Sequence, residues 1–240
     1  GVPGSLAKAG TAQTIAKTTR NGMVRKSKRS VTLPLGRIPR AKLDTIRYAS
    51  LVNPFSTAFT RGMAHGVVAA VHLPEPSDEH PDAFLHQLHT DEQHHARQLK
   101  GKRQIEWVGG RIAARVAAQT LGIDLPPLLP DGYGAPIPPP SLTVSIAHKE
   151  RMAMALVARK VHGLVGIDFE VIGRDRSDIA AKVLNPFELA EVNGLTAERR
   201  WTAVLLRFSI KEALYKALAP RLKRYIGFDE AQLSKLANGS

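Results

Sequence analysis

A chain of 240 residues, 43% hydrophobic and 23% charged, is long enough to bury a core and ordinary for a globular protein, which argues against a low-complexity or fibrous chain. It contains no cysteine, so disulfides and thiolate metal sites are excluded and a reducing compartment is favoured. The sequence holds no apolar run of membrane-spanning length, and its first residues lack the apolar centre of a secretory signal.

The formal charge of +13 is unevenly placed. Residues 1–47 carry 11 Lys and Arg against one acid, Asp44, whereas residues 48–240 are only +3. This basic segment is rich in Gly, Thr, Ser and Lys and too poor in large apolar groups to offset its ordering entropy, so a disordered extension is expected. A basic organellar targeting segment, or upstream sequence ahead of a start at Met23, are the alternatives. The first residue is Gly rather than Met, which predicts processing or cutting. A nucleic-acid reading rests on this arm alone: aromatics are 5% of the chain, and the body lacks a basic stripe with interleaved aromatics.

Met63 to Leu73 is β-branched and Ala-rich and reads as a strand, followed by a Pro-rich loop. Thr90-Asp91-Glu92-Gln93 has the pattern of a capping box starting a helix. Lys102 to Leu121 places Ile105, Val108, Ile112, Val116 and Leu121 near helical spacing, with Gly122 as its stop. A proline-rich stretch, Asp124 to Pro140, is a loop joining two parts of the fold. Ser141 to Ala147 and Met152 to Ala158 read as strands joined by a polar turn, and Val161 to Val171 as a third. A charged loop (Gly173 to Asp178), a short helix and a long helix from Glu198 to about Leu218, closed by Pro220, complete an α+β protein.

Three segments carry possible chemistry. In a strand, Val165, Ile167, Phe169 and Val171 share one face and Asp168 and Glu170 the other. Adjacent carboxylates repel unless a cation intervenes, and a hard divalent ion such as Mg²⁺ suits them; a solvated acidic face is the alternative. Glu212 and Lys216 lie at i and i+4 of one helix. They read as a functional pair, as an exposed ion pair, or as part of a capping box with Ser209 as cap. His148 and Lys149 end a strand at a turn, where a His is either simply exposed or a phosphate donor or general base. The histidines His86, His89, His94 and His95 have some metal-like spacing but no cysteine and no clear acidic fourth ligand, and read as a solvated loop.

Taken in order, Ser145-Ile146-Ala147-His148-Lys149, Gly166-Ile167-Asp168-Phe169-Glu170 and Phe208 to Lys216 (FSIKEALYK) resemble the larger, two-lobed 4'-phosphopantetheinyl transferases of siderophore and polyketide pathways. The likeness extends to Arg111 in VGGRIAARVAAQTLG, to Gly132-Tyr133-Gly134-Ala135-Pro136 and to Gly227-Phe228-Asp229-Glu230-Ala231-Gln232-Leu233, and so covers residues 60–233. Ala147 departs from the family's second Ser, Phe169 is bulkier than the usual Ile or Val, and the chain stops where family members continue, which predicts a shortened second lobe.

The resemblance implies an α+β fold of two similar lobes related by a pseudo-twofold axis. These are an N-terminal lobe at 48–150 and a C-terminal lobe at 151–240, with coenzyme A between them. It implies transfer of the 4'-phosphopantetheine group of coenzyme A to a serine of an apo acyl- or peptidyl-carrier protein, releasing 3',5'-ADP. Asp168, Glu170 and Glu212 would hold Mg²⁺, with Glu212 also the general base. Lys216 would neutralise the phosphate or the leaving group. Ser145 and His148 would bind the nucleotide end, with Arg97 and Arg103 as further phosphate contacts. A cytoplasmic monomer is expected, or an organellar one if the tail is a targeting segment. The competing classes are a basic-armed nucleic-acid binder and an inactive carrier-binding relative.

Overall fold

The computed structural model describes residues 54–75 and 84–234; the basic segment 1–47 lies outside them. Two strands, β1 (Thr57–Met63) and β2 (Gly66–His72), precede two helices, α1 (Thr90–Ala96) and α2 (Gly101–Thr120). Strands β3 (Leu142–Lys149) and β4 (Met152–Arg159) follow, and then helices α3 (Ala180–Val183), α4 (Pro186–Asn193) and α5 (Ala197–Leu222). The strands form one antiparallel sheet in the order β1-β2-β4-β3. The α+β expectation is met, with this sheet and helices as its parts.

The stretch read as one strand from Met63 is a hairpin: Met63 pairs with Gly66, and β1 precedes it. Gly66 is required there, because a Cβ would lie 2.3 Å from the Val157 carbonyl oxygen.

Helix α2 packs along the sheet through Gly109 and Gly110. A Cβ on Gly109 would meet Leu73 Cδ2 at 2.2 Å, and one on Gly110 would meet Ile146 Cγ2 at 2.7 Å. Two glycines in mid-helix cost helix propensity, and here they let backbone and sheet close on a core including Val71, Val108, Ala113, Ala155 and Val157. The helix ends as the sequence predicts. Gly122 has φ +69, its N–H donates to Gln119 O, and Ile123 N–H donates to Ala118 O, both at 2.9 Å, which is a Schellman closure. Helix α1 starts one residue earlier than the Thr90 cap predicts: His89 is the cap and its N–H donates to Glu92 Oε2.

Two expectations are corrected. Val161 to Val171 is not a strand: after a single turn at Lys160–His162 the chain is irregular. Gly163, at φ +92, turns it away from β4, and the segment lies instead on α5, where a Cβ on Gly166 would sit 1.8 Å from Ala213 O. Its apolar residues therefore do not line one buried face, and Val171 is exposed. Helix α5 runs to Leu222 with Pro220 inside its last turn, and ends at Lys223 in the left-handed region, φ +51. Ser209 is thus mid-helix, which overturns the capping-box reading of Ser209 and Glu212.

A second apolar cluster, with Val183, Val192, Trp201 and Val204 at its centre, gathers α3, α4 and α5. Strand β4 is hydrogen-bonded to β2 and β3, so the first sheet reaches Arg159 and a division at residue 150 would fall inside the β3–β4 hairpin. Among the described residues no helix is long and apolar enough to cross a membrane.

Candidate active site

Strand β3 carries His148 on the side of α2. There, with Arg103, Glu106, Trp107 and Arg111 of α2, it lines a cavity of about 230 Å³. The opposite wall is Tyr215 and Lys216 of α5, and a small hairpin around Asp131 to Pro136 closes one side.

His148 is half-buried between a base and an acid. Arg103 Nη1 lies 3.2 Å from its Nε2 and Glu106 Oε1 lies 3.5 Å from its Nδ1. Because a guanidinium can only donate, Nε2 must accept and the ring proton belongs on Nδ1, facing Glu106. Burial pushes the imidazole below its ordinary value; Glu106 opposes this, while Arg103, Lys216 and Lys102 add to it. His148 is therefore neutral at pH 7. Ser145 is buried, and its Oγ accepts the Ile167 N–H at 3.0 Å, which ties the Gly166–Glu170 segment to β3.

That segment carries the carboxylates. Lys216 Nζ is 2.6 Å from Asp168 Oδ1, and Lys149 Nζ is 2.5 Å from Glu170 Oε2. Asp168 Oδ2 is buried without a partner. Burial raises the Glu212 carboxyl above the ordinary carboxylate range; Lys216 lowers it, and the like charges of Asp168 and Glu170 raise it further. Glu212 thus shares one electrostatic neighbourhood with both carboxylates and with Lys216, as the sequence spacing suggests. Glu212 is half-buried, and Lys216 makes its ion pair with Asp168, so the reading of 212 and 216 as a simple exposed pair does not hold.

The candidate residues divide by position. Ser145, His148, Arg103 and Lys216 line the main cavity, whereas Glu212 opens on a smaller adjoining pocket with Tyr225 and Phe228. Tyr215 borders both. Arg97 caps α1 and donates to Gln93 Oε1 at 3.2 Å, away from the cavity lining. Among the described residues no three His, Asp or Glu side chains converge as a metal cluster. Of the histidines read as a loop, His95 stacks on Trp107 with centroids 4.8 Å apart and His89 caps α1.

All the same, the donor set fits a hard cation. Asp168, Glu170 and Glu212 offer only oxygen, and the buried Oδ2 of Asp168 has no hydrogen-bond donor to satisfy it. Lysines now take up the other Asp168 oxygen and one oxygen of Glu170.

Several functional groups escape a reading of sequence motifs. Arg111 is 4% exposed. It stacks over the Trp107 ring at 3.9 Å, and its Nε donates to Leu128 O. Its Nη2 and the Trp107 Nε1 are both buried without partners. Burial lowers the guanidinium to about 10, so it is still charged at pH 7. Two orphaned donors on residues lining one cavity suit an anionic ligand. Lys211, which precedes Glu212, is fully buried and bonds Glu188 Oε2 at 2.6 Å, Phe228 O at 2.8 Å and Val183 O at 3.0 Å. Glu188 also accepts the Leu233 N–H at 2.7 Å. An alternation in Lys and Glu suggests surface charge; only burial reveals a structural pair.

Residues 91–158 match the family model of the 4'-phosphopantetheinyl transferase N-terminal domain, and residues 164–240 that of the 4'-phosphopantetheinyl transferase superfamily. The chain is 35% identical over 158 residues to the 4'-phosphopantetheinyl transferase Svp of Streptomyces mobaraensis, covering 64% of this chain and 63% of Svp. It is 32% identical over 135 residues to PptT of Mycobacterium tuberculosis, covering 55% of this chain and 59% of PptT. It is 31% identical over 172 residues to Npt of Nocardia iowensis, covering 68% of this chain and 72% of Npt. The matches span about three fifths of Svp and of PptT. With both family models matched in chain order and Npt covered over more than two thirds of its length, the chain belongs to the 4'-phosphopantetheinyl transferase superfamily.

Proposed function

We propose that this protein transfers the 4'-phosphopantetheine group of coenzyme A to a serine hydroxyl of an apo acyl- or peptidyl-carrier protein, releasing 3',5'-ADP. The observation that carries the reading is the meeting of Asp168, Glu170, Glu212 and Lys216 beside a cavity whose other wall is cationic. Family membership supports the reaction class.

In this reading Arg103, Arg111 and His148 face the nucleotide phosphates, with Ser145 at the same wall and Arg97 at the outer edge. Asp168, Glu170 and Glu212 would hold Mg²⁺. The ion supplies charge neutralisation and orientation at the pyrophosphate.

Glu212, raised by burial and like charge, accepts the proton of the carrier serine, directly or through water. The serine oxygen forms a bond to the phosphorus bearing the pantetheine arm. The bond from that phosphorus to the bridging oxygen breaks, and the electron pair leaves with 3',5'-ADP. Lys216 then stabilises the charge on the departing phosphate once its hold on Asp168 is relieved.

We further propose two lobes of similar build, the first extending to about Arg159 because β4 belongs to its sheet, the second from there to residue 240. A cytoplasmic monomer fits the cysteine-free composition. A mildly basic body steers acidic carrier partners more than it adds affinity. The family match lends no support to the nucleic-acid or inactive-relative readings.

Incubation with coenzyme A, Mg²⁺ and a panel of apo-carriers, followed by intact-mass spectrometry, tests the assignment. Addition of a phosphopantetheine group to any carrier supports it. An unmodified panel with a folded, coenzyme A-binding protein leaves a binding module instead.

A further inference from the structure

Glu92 is a fully buried carboxylate that lies outside the cavity lining, and both of its oxygens are used. Oε1 accepts the Leu128 N–H at 2.8 Å. Oε2 accepts the His89 N–H at 3.2 Å and pairs with Arg115. The same Leu128 peptide is held from its other side, where its carbonyl accepts from Arg111 Nε at 3.1 Å. The Leu128 side chain is itself fully buried. One peptide group is thus clamped at its N–H and its C=O by two buried charged side chains 19 positions apart in the sequence.

What hangs from that peptide is the wall of the cavity. Ile137 N–H donates to Leu129 O and Asp131 N–H to Ala135 O, closing a short hairpin. Asp131 Oδ1 accepts from Tyr133 N at 2.8 Å and from Ala135 N at 2.9 Å, which fixes the tip. Asp131, Tyr133, Gly134 and Pro136 all face the cavity. The hairpin is internally bonded, so it moves as a unit, and its attachment at Leu128 decides where the unit stands.

We propose that Glu92 is a positioning residue for ligand binding: by clamping the Leu128 peptide it sets the hairpin 129–137 against the cavity and, through Arg111, couples that wall to the cavity floor. The inference rests on the coenzyme A reading for its ligand but not for its geometry. Glu92 touches no reacting atom. Its loss moves the wall, so it weakens coenzyme A binding while leaving the rate of the bound complex near its original value. A misplacement of about 1 Å is enough for a large effect on a shaped site.

Glu92→Gln leaves Arg115 buried without its counter-charge and can fail to fold. The test variant is therefore Glu92→Met with Arg115→Met, which removes both charges together, measured in the full-length chain. Coenzyme A affinity by calorimetry is expected to fall about tenfold or more, with kcat little changed. Hydrogen exchange of the amides from Leu128 to Ile137 accelerates, while those of α2 and β4 keep their protection. Unaltered affinity and unaltered hairpin exchange in the folded double variant overturn the proposal. Wild-type protein that binds no coenzyme A defeats the transferase reading instead, and the exchange data still decide Glu92. If the double variant does not fold, the wild-type Leu128 amide decides. Protection equal to that of α2 amides supports the clamp, and exchange at the rate of an open loop removes it.

Discussion

Lys216 Nζ stands 2.6 Å from Asp168 Oδ1 across 48 residues of sequence, and the backbone contact that allows it is Gly166 against Ala213. Any side chain at 166 would drive the segment off the helix, because its first carbon would lie 1.8 Å from a carbonyl oxygen. The carboxylates of Asp168 and Glu170 reach the helix bearing Glu212 and Lys216 only because that position is a glycine.

Gly166→Ala is therefore expected to destabilise the protein by about 1–3 kcal/mol as the backbone shifts to relieve the overlap, and to reduce transfer by more than the stability loss explains. Thermal unfolding alongside initial rates of carrier modification separates the two effects. Wild-type rates in the Ala variant break the link between this contact and the site.

Glu212→Gln should abolish transfer, by at least about 100-fold for a lost general base, with the fold intact by circular dichroism. The pH profile gives an independent check. Burial, then Asp168 and Glu170, outweigh Lys216 and raise the Glu212 carboxyl. The base must be unprotonated, so kcat/KM falls as pH drops through a value above the ordinary carboxylate range. An acid limb at or below the ordinary carboxylate value argues against Glu212 as the titrating group.

His148 is neutral at pH 7 because burial and the surrounding cations disfavour its charged form. A phosphate arriving beside it reverses that balance and raises its pKa. Coenzyme A binding should therefore take up protons near neutral pH and tighten as pH falls from 8 to 6. Calorimetry in buffers of different ionisation enthalpy reads the uptake directly, and His148→Gln should remove it. Binding that is independent of pH would detach His148 from the ligand.

The Lys211–Glu188 pair predicts an asymmetric response. Lys211→Met strands a buried carboxylate and should cost about 3–5 kcal/mol, whereas Lys211→Met with Glu188→Met should recover much of it. For Glu188, burial raises the pKa but is outweighed by Lys211 and by the Leu233 and Asn185 N–H donors, so the folded value is depressed. Its contribution is present above the ordinary carboxylate pKa and is lost as pH falls through the lower folded value. In Lys211→Met the folded value moves back toward the ordinary one, and this acid-dependent part of the stability shrinks. Denaturant titrations from pH 6 to 3 measure it.

Removing residues 1–47 should leave coenzyme A binding and carrier modification in place, since every group assigned to the site lies beyond them. Loss of both on truncation would move part of the site into the basic segment.

Some features need only local chemistry, and these are legible in the order of residues. The span and stop of α2 follow from its apolar spacing and Gly122, and β3 and β4 from their β-branched runs. The likeness of three short motifs is enough to place Asp168, Glu170 and Glu212 in one family's site. Other features depend on neighbours distant in the chain, and no periodicity encodes them. The 161–171 segment has the composition of a strand, yet without a ladder partner it lies irregularly along α5, held by Gly166 and by the Ser145 hydroxyl. Arg111, Lys211 and Glu92 look like surface charges in the sequence. Burial strips their water, and then only hydrogen bonds from far along the chain can satisfy them. The geometry of those bonds, rather than the order of the residues, decides that Glu92 and Lys211 hold the fold while Arg111 keeps a donor free for the cavity.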